Sequence, residues 1–365
     1  MVVEFDLTLV QAGNLVSIYA FLIMLFAVIA GIIIARVGYV FFAATGVAFC
    51  MLGSFAGAFA DTISELMLSR AFEGLGWLVG AVALPTLLST LALPKDRPVV
   101  MGLWAAFMPF GSGGMLFLAP ALQSVGGWRL CWVVASVLSL VGFVTVVLVC
   151  YWQRASLRQL KNADSTWNLA DLRQLESIAV MLCFLCYSFQ FVSVTAFLPT
   201  LLVQDSGMLL TNASYWAALV LLSNATGNLA AGWLINSGFK QSHILAASFL
   251  LMGFFACIAL SISYTPVRIA AAILMASVGG VIPGTLFSTA ATIASSSASV
   301  GIIIGFMIMG IGAGQLSGPI AVTRLIEWTG HWYSGGMMAL VVAALGIVFA
   351  RWLHKLPAVT KEATS

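Results

Sequence analysis

Two ionisable side chains, Arg70 and Glu73, lie deep inside an apolar segment of the chain. Their spacing of three residues puts both on the same face of a helix. A charge near the centre of a bilayer costs roughly 2.5–3.5 kcal/mol even on the lenient insertion scale, so the two must face a cavity or a partner. Two interpretations are open. Either the side chains pair with each other and hold the helix against its neighbours, or Arg70 attracts an anionic substrate and Glu73 carries a coupling proton.

Polar and aromatic side chains in the other apolar segments are further candidates for contact with a small-molecule solute. They are Tyr19, Trp104, Tyr187, Gln190, Asn224, Asn228 and Gln315. Each could line a cavity, or could instead make an interhelical hydrogen bond, which contributes about 0.6 kcal/mol on average. The pattern leaves both roles open for every one of them.

Enzymatic chemistry finds little support in the residue pattern. The sequence contains no Walker loop, dinucleotide-binding fingerprint or nucleophile elbow. Cys183 and Cys186 have CxxC spacing, but they lie in an apolar segment without a nearby histidine, which makes a poor metal site. We therefore predict no enzymatic activity, no cofactor, no bound metal and no obligate protein partner. The net charge of +3 gives no indication of nucleic-acid binding.

The composition is that of a protein dissolved in lipid. Hydrophobic residues make up 62% of the chain and charged residues 7%, and the mean hydropathy is +1.09. Soluble domains carry about 25% charged residues. Because one membrane span needs roughly 20 apolar residues, the chain divides into eleven segments of sufficient length. They run approximately over residues 11–34, 40–60, 65–92, 99–121, 128–151, 176–201, 213–235, 242–263, 268–293, 300–323 and 334–353. These predict an all-α polytopic helix bundle.

Basic residues are distributed unevenly between alternate loops. Of the 15 lysines and arginines, eleven fall on one side, which the positive-inside rule makes cytoplasmic. They are Arg36, Lys95, Arg97, Arg154, Arg158, Lys161, Arg173, Lys240, Arg351, Lys355 and Lys361. The distribution predicts a multi-pass protein of the cell membrane, and we expect the bacterial inner membrane.

The longest polar interruption suggests where the chain divides. We expect an N-terminal half over residues 1–151, a cytoplasmic central loop over 152–175, a C-terminal half over 176–353 and a cytoplasmic tail over 354–365. Within the loop, the pattern from Ser165 to Leu175 predicts a short amphipathic helix on the membrane surface.

A block of the sequence recurs 199 residues later, within apolar segments. The first copy holds Gly80, Thr86, Leu87, Ser89, Thr90, Gly102, Gly111, Gly113 and Pro120, and the second holds Gly279, Thr285, Leu286, Ser288, Thr289, Gly301, Gly310, Gly312 and Pro319. A duplicated multi-helix membrane unit is typical of secondary transporters, which bind substrate between the repeats. The same offset carries the sixth segment to a position before Met1, so we expect a pattern of six plus six helices whose first helix is lacking here.

Short motifs in the same order as in a known family strengthen this interpretation. The stretch from Gly31 to Gly38 resembles the loop signature of the major facilitator superfamily, Gly-x-x-x-Asp-Arg-x-Gly, with Ala35 in place of the Asp. Arg70 to Gly74 resembles its Arg-x-x-x-Gly motif, and Gly127-Trp128-Arg129 its "GWR" entry to the sixth helix. Phe197 to Thr200 and Gly227 to Gly232 look like parts of its seventh and eighth helices. Among branches, the pattern is most similar to bacterial carriers of the cyanate and nitroimidazole type (CynX/NimT-like).

The resemblance implies a fold of two pseudo-symmetric halves and transport by alternating access. It places the helix that carries Arg70 at the central cavity, and it makes Gly31, Arg36 and Gly38 a gating loop that here lacks its usual ion pair, because of Ala35. We expect a secondary active transporter for a small organic or inorganic anion, with protons as the coupling ion. The alternatives are an exporter of small toxic or drug-like compounds, or a non-functional truncated carrier.

Overall fold

The computed structural model describes residues 9–154, 157 and 169–354, with side chains from Tyr19 onward except at 297 and 298. All regular secondary structure in this part of the chain is helical, as predicted. Most of the expected surface helix of the central loop, and the tail from residue 355, lie outside the described residues. The described end of that loop, Leu169–Arg173, forms a 3-10 helix.

The α-helices follow the predicted segments closely. The elements before the central loop are α1 (Leu9–Val37), α2 (Tyr39–Ala58), α3 (Ile63–Leu91), α4 (Arg97–Ala105) and α5 (Phe107–Trp152). Those after it are α6 (Leu175–Thr195), α7 (Leu198–Ser206), α8 (Leu210–Asn236), α9 (Gln241–Ser261), α10 (Thr265–Gly279), α11 (Val281–Ile293), α12 (Ser297–Thr329) and α13 (Tyr333–Arg351).

Ten helical stretches of the described residues are long and apolar enough to cross a membrane. The longest, Arg97–Trp152, has 56 residues, whereas one span needs about 20. Its backbone leaves the helical region at Gly126 and Gly127, where Gly127 has a φ of 66° that favours glycine. The stretch therefore divides into two, which brings the described residues to the eleven crossings that the sequence predicts.

Three predicted spans are broken, each at a fixed distance from a proline. Helix α4 ends at Ala105, four residues before Pro109; α6 ends at Thr195, four before Pro199; and α10 ends at Gly279, four before Pro283. Proline has no N–H for the carbonyl four residues earlier, and its ring collides with that carbonyl. Pro85 and Pro319 nevertheless lie within unbroken helices. A proline is therefore not sufficient for a break.

The chain forms two compact units, and each is described by itself. The first unit comprises Met1–Leu91, Leu118–Leu172 and Ala294–Gly312. In it, α2 and α3 pack closely through small residues: a Cβ at Gly46 would lie 2.6 Å from the backbone nitrogen of Gly80. The C-terminal part of α1 packs equally closely on the start of α12, since a Cβ at Gly31 would lie 2.8 Å from the carbonyl oxygen of Gly301.

The second unit comprises Ala92–Phe117, Arg173–Ile293 and Ala313–Ser365. Its centre is α8, which contacts α4 on one side and α10 on another. A Cβ at Gly102 of α4 would lie 2.5 Å from the carbonyl oxygen of Asn228, and one at Gly280 would lie 2.0 Å from that of Asn224. Small residues thus let these backbones approach closely. The units cut across the expected halves 1–151 and 176–353, and the division into halves stays a prediction.

Candidate functional site

Arg70 and Glu73 lie on the face of α3 that meets α2 and α5, in the first unit. Arg70 Nη2 forms a salt bridge with Glu73 Oε2. The other carboxylate oxygen accepts a hydrogen bond from the hydroxyl of Ser54 on α2. The guanidinium carbon stands 3.9 Å from the ring centroid of Trp132 on α5, a cation–π contact. Both charges therefore have partners, and all of these partners precede the central loop.

Glycines of α2 make the space that this ion pair occupies. A Cβ at Gly53 would lie 2.6 Å from the Cγ of Glu73, and one at Gly57 would lie 1.6 Å from the Trp132 ring. Any larger residue at these positions would displace the side chains that neutralise and cover Arg70. The local packing is therefore arranged around the pair.

A second group of candidates lies in the second unit, where six aromatic rings contact one another in sequence. Trp104 stacks on Phe107 with ring centroids 4.5 Å apart, and meets Phe287 edge-on at 6.4 Å. The contacts continue from Phe287 to Phe184 at 5.6 Å, from Phe184 to Tyr187 at 5.8 Å, and from Tyr187 to Phe191 at 5.6 Å. Together with Asn224 and Asn228, which are linked to Tyr187, these residues are called the aromatic–amide cluster below.

The two asparagines of the cluster form a hydrogen-bonded chain that begins at Tyr187. Asn224 Nδ2 donates to Tyr187 Oη at 3.1 Å and to the carbonyl of Ala276 at 2.9 Å. Asn228 Nδ2 donates to Asn224 Oδ1 at 2.9 Å and to its backbone carbonyl at 3.0 Å. Because both acceptors of the second amide group are oxygens of Asn224, the orientation of the Asn228 amide is fixed by the network.

Two polar atoms of the cluster are left without a partner. Trp104 Nε1 and Asn228 Oδ1 are buried and have no hydrogen-bond partner among the described residues. A buried donor or acceptor without a partner costs about 1–3 kcal/mol. A ligand that accepts from the indole and donates to the amide would remove this cost.

The cluster joins the two copies of the internal repeat at helix breaks. Trp104 belongs to the first copy and Phe287 to the second. Trp104 and Phe107 flank the break between α4 and α5, and Asn224 packs on Gly280 at the break between α10 and α11. Discontinuous helices at a repeat interface are the usual location of binding sites in secondary transporters.

The other predicted solute contacts fall elsewhere. Tyr19 lies in the first unit, where its ring meets Trp77 at 6.1 Å. Gln190 donates to the carbonyl of Cys186, and its Oε1 approaches Gly253 of α9 rather than a ring of the cluster. Gln315 lies on α12, with a buried Oε1 that has no hydrogen-bond partner among the described residues.

The expected gating loop is a tight turn. Helix α1 ends at Val37 and α2 begins at Tyr39, with Gly38 between them at a φ of 119° that favours glycine. Arg36 is exposed in the last turn of α1. Its gating role stays a prediction.

Sequence reasoning missed a buried carboxylate near the start of α12. Asp171, 1% exposed, accepts a hydrogen bond at 2.6 Å from the hydroxyl of Ser295 and one at 3.3 Å from its backbone N–H. It also missed Phe184, Phe191 and Phe287, although the spacing of Phe184, Tyr187 and Phe191 by three and four residues put all three on one helix face. No group of three or more metal-ligating side chains comes together in the described part of the chain.

Comparisons with known proteins identify the family of this chain. A comparison with curated proteins finds no match. Among solved structures, the chain is similar to the E. coli fucose:proton symporter FucP, with a TM-score of 0.73 and 17% identity over 97% of this chain and 93% of that one. It is also similar to the human organic anion transporter MFSD10 (TETRAN), with a TM-score of 0.77 and 14% identity over 93% and 83% of the two chains. These likenesses show the fold. The family model described as Major Facilitator Superfamily matches residues 1–303, and the chain therefore belongs to the Major Facilitator Superfamily.

Proposed function

We propose that this protein is a secondary transporter that moves a small solute across the membrane by alternating access. The observation that carries the proposal is the contact between Trp104 and Phe287, because it joins the two repeat copies in a cluster with unsatisfied polar atoms. Secondary transporters bind their solutes at such a repeat interface. FucP and MFSD10, which have the same fold, are described as a proton symporter and an organic anion transporter, and this supports the class.

We further propose that Arg70 and Glu73 have a structural role. Each charge is neutralised by the other, and Ser54 and Trp132 cover them from neighbouring helices. Removing one partner of a buried pair typically costs about 3–5 kcal/mol, whereas replacing both with well-packed apolar residues of similar volume is often neutral. In this proposal the pair holds α3 against α2 and α5, and the solute binds at the aromatic–amide cluster.

A second candidate is the proton-coupled anion transporter that the sequence predicts. One observation favours it: Arg70 Nε has no hydrogen-bond partner among the described residues. An anion could bind the guanidinium of Arg70 only if the Glu73 carboxylate moved away from it. Protonation of Glu73 would break that salt bridge and free the guanidinium. Anion binding and proton uptake would then be linked one to one.

Mutants of the pair separate the two candidates. If Arg70 supplies the counter-charge, Arg70→Ala abolishes anion uptake at normal expression, and Glu73→Gln loses accumulation driven by a pH gradient but keeps exchange. If the pair is structural, each single mutant loses folded protein and the double mutant recovers both folding and transport. Recovery in the double mutant excludes the anion-binding role.

The transport class itself is tested by counterflow in liposomes that contain only the purified protein. A secondary transporter preloaded with a solute should accumulate the labelled solute transiently without ATP. Entry at the rate of protein-free liposomes for every solute tried would reject the proposal. We also propose, from the loop charges and the motifs, a location in the bacterial inner membrane and kinship with the cyanate and nitroimidazole type.

A further inference from the structure

We infer that the aromatic–amide cluster binds an uncharged, planar ring solute that carries one hydrogen-bond acceptor and one donor. The inference rests on the proposed transport function and names the class of solute for it. Three properties of the cluster support it: its lack of charge, its shape and its two polar atoms without a hydrogen-bond partner.

The cluster contains no charged side chain that could pair with an ionic solute. Its side chains are phenyl, phenol, indole and carboxamide groups, none of which is charged at neutral pH. Within a bilayer, a charged ligand needs a counter-charge or a pairing group. Two cations of the described spans are already neutralised by carboxylates: Arg70 by Glu73 in the first unit, and the buried Arg268 by Asp205 in the second.

The shape of the cluster suits a flat ring. The faces and edges of six rings follow one another at centroid distances between 4.5 and 6.4 Å. Such spacings are typical of offset-stacked and edge-to-face aromatic pairs. A planar solute that stacks on the outside of these rings would adopt the same offset-stacked or edge-to-face geometry.

The two polar atoms without a hydrogen-bond partner define which groups the solute ring must carry. Both hydrogens of Asn228 Nδ2 are directed to oxygens of Asn224, so Asn228 Oδ1 is left as an acceptor. Trp104 Nε1 is left as a donor, since indole has no other hydrogen-bonding atom. A ring carboxamide carries both complementary groups, because its oxygen accepts from an indole N–H and its nitrogen donates to an amide oxygen.

A carboxylate of the same shape fails this match. It has two acceptor oxygens and no proton to donate at about pH 7. One oxygen would face Asn228 Oδ1, which is also an acceptor, and both atoms would lose their hydration without a bond in return. The cluster should therefore distinguish an amide from its carboxylate isostere although the two hardly differ in size.

Equilibrium binding to the purified protein in detergent tests the inference. The probes are two isosteric pairs, nicotinamide with nicotinate and benzamide with benzoate, at about pH 7. We expect at least one amide to bind at least about tenfold more tightly than its carboxylate. Trp104→Phe, which keeps an aromatic ring and removes the N–H, should weaken the binding of that amide by about tenfold. The matched control Trp233→Phe, at an exposed position of α8, should leave it unchanged.

Three results would overturn the inference: tighter binding of a carboxylate than of its amide, unchanged amide affinity in Trp104→Phe, or no amide binding at all. Failure of the inference can be told apart from failure of the transport proposal. Counterflow of nicotinate or benzoate that Arg70→Ala abolishes would refute the neutral solute and leave the transporter in place. Amide binding that depends on Trp104 without any counterflow would refute transport and leave the binding site.

Discussion

The ring of Trp104 meets the ring of Phe287 edge-on, with 6.4 Å between their centroids. The two residues lie in different copies of the 199-residue repeat, and Trp104 lies beside the break between α4 and α5. Phe287 also contacts Phe184, and so connects Trp104 to Tyr187 and the buried asparagines. This one contact connects the residues of both repeat copies into one continuous cluster.

Replacing Phe287 with leucine tests whether the ring contact matters beyond its volume. Leucine keeps the position apolar, so the protein should lose less than about 1.5 kcal/mol of stability. The ring contacts to Trp104 and Phe184 would be lost, and we expect amide binding to fall by about tenfold. The control is Phe249→Leu, a buried ring of α9 outside the cluster, which should change stability alone. Equal binding in the two variants would contradict the role of Phe287.

The Arg70–Glu73 pair predicts a strong coupling energy in a double-mutant cycle. Either single change, Arg70→Ala or Glu73→Gln, should destabilise the protein by up to about 3–5 kcal/mol, and the double mutant should lose much less than the sum of the two. The control cycle uses Arg324 and Glu327, which have the same spacing but are 81% and 60% exposed. That pair should couple by only about 0–1 kcal/mol. Chemical denaturation in detergent measures both cycles, and similar couplings would refute the structural role.

The packing between α2 and α5 predicts that Gly57 tolerates no side chain. In Gly57→Ala the new Cβ would lie 1.6 Å from the Trp132 ring, and we expect a loss of at least about 1–3 kcal/mol. Gly111→Ala is the matched control, because it also lies within a helix but nothing stands within 4 Å of its Cβ position. That change should be neutral or should stabilise by about 0.5–1 kcal/mol. A melting temperature that falls equally in both variants would contradict the predicted packing.

Asp171 predicts a stabilising contact between the central loop and the start of α12. Hydrogen bonds to a charged group contribute about 1.5–3 kcal/mol, so Asp171→Asn should lower stability by about that amount. Asp96→Asn is the control, since Asp96 is exposed and its side chain caps no helix. If Asp171→Asn and Asp96→Asn have the same small effect on thermal unfolding, the buried carboxylate does not anchor the loop.

The loop charges predict the orientation of the protein in the membrane. In a background without the six native cysteines, Ser237→Cys should be labelled from the cytoplasmic side alone by an impermeant maleimide. Ser206→Cys should be labelled from the outside alone, because the basic loop residues lie on the opposite side. The reverse labelling would reject this topology.

The helical segments could be predicted from the sequence because apolar length alone defines a membrane span. The breaks could not. Pro109, Pro199 and Pro283 each follow a helix end by four residues, yet Pro85 and Pro319 lie in unbroken helices. Whether a proline ends a membrane helix depends on how neighbouring helices satisfy the freed carbonyl. That information lies in tertiary packing and not in the local sequence.

Most polar residues of the candidate site could be predicted individually from the sequence, but their grouping in space could not. Trp104, Tyr187, Asn224 and Asn228 are conspicuous because they are polar or amphipathic in apolar segments. Phe287 is not, because a phenylalanine in a membrane span gives no sign of whether it faces lipid or protein. Likewise, the shared helix face of Arg70 and Glu73 followed from their spacing. The hydrogen bond from Ser54 to Glu73 and the contact of Arg70 with the Trp132 ring join distant segments of the chain, and their spacing did not predict them.

Counterflow of nicotinamide is the most direct measurement of the central claim, which is solute transport through the aromatic–amide cluster. Liposomes with the purified protein are preloaded with nicotinamide, and the transient accumulation of labelled nicotinamide is followed without ATP or a pH gradient. At subsaturating nicotinamide we predict accumulation above protein-free liposomes for the wild type and for Trp233→Phe, and about tenfold slower accumulation in Trp104→Phe. Accumulation at the wild-type rate in Trp104→Phe, or no accumulation in the wild type, would contradict the account.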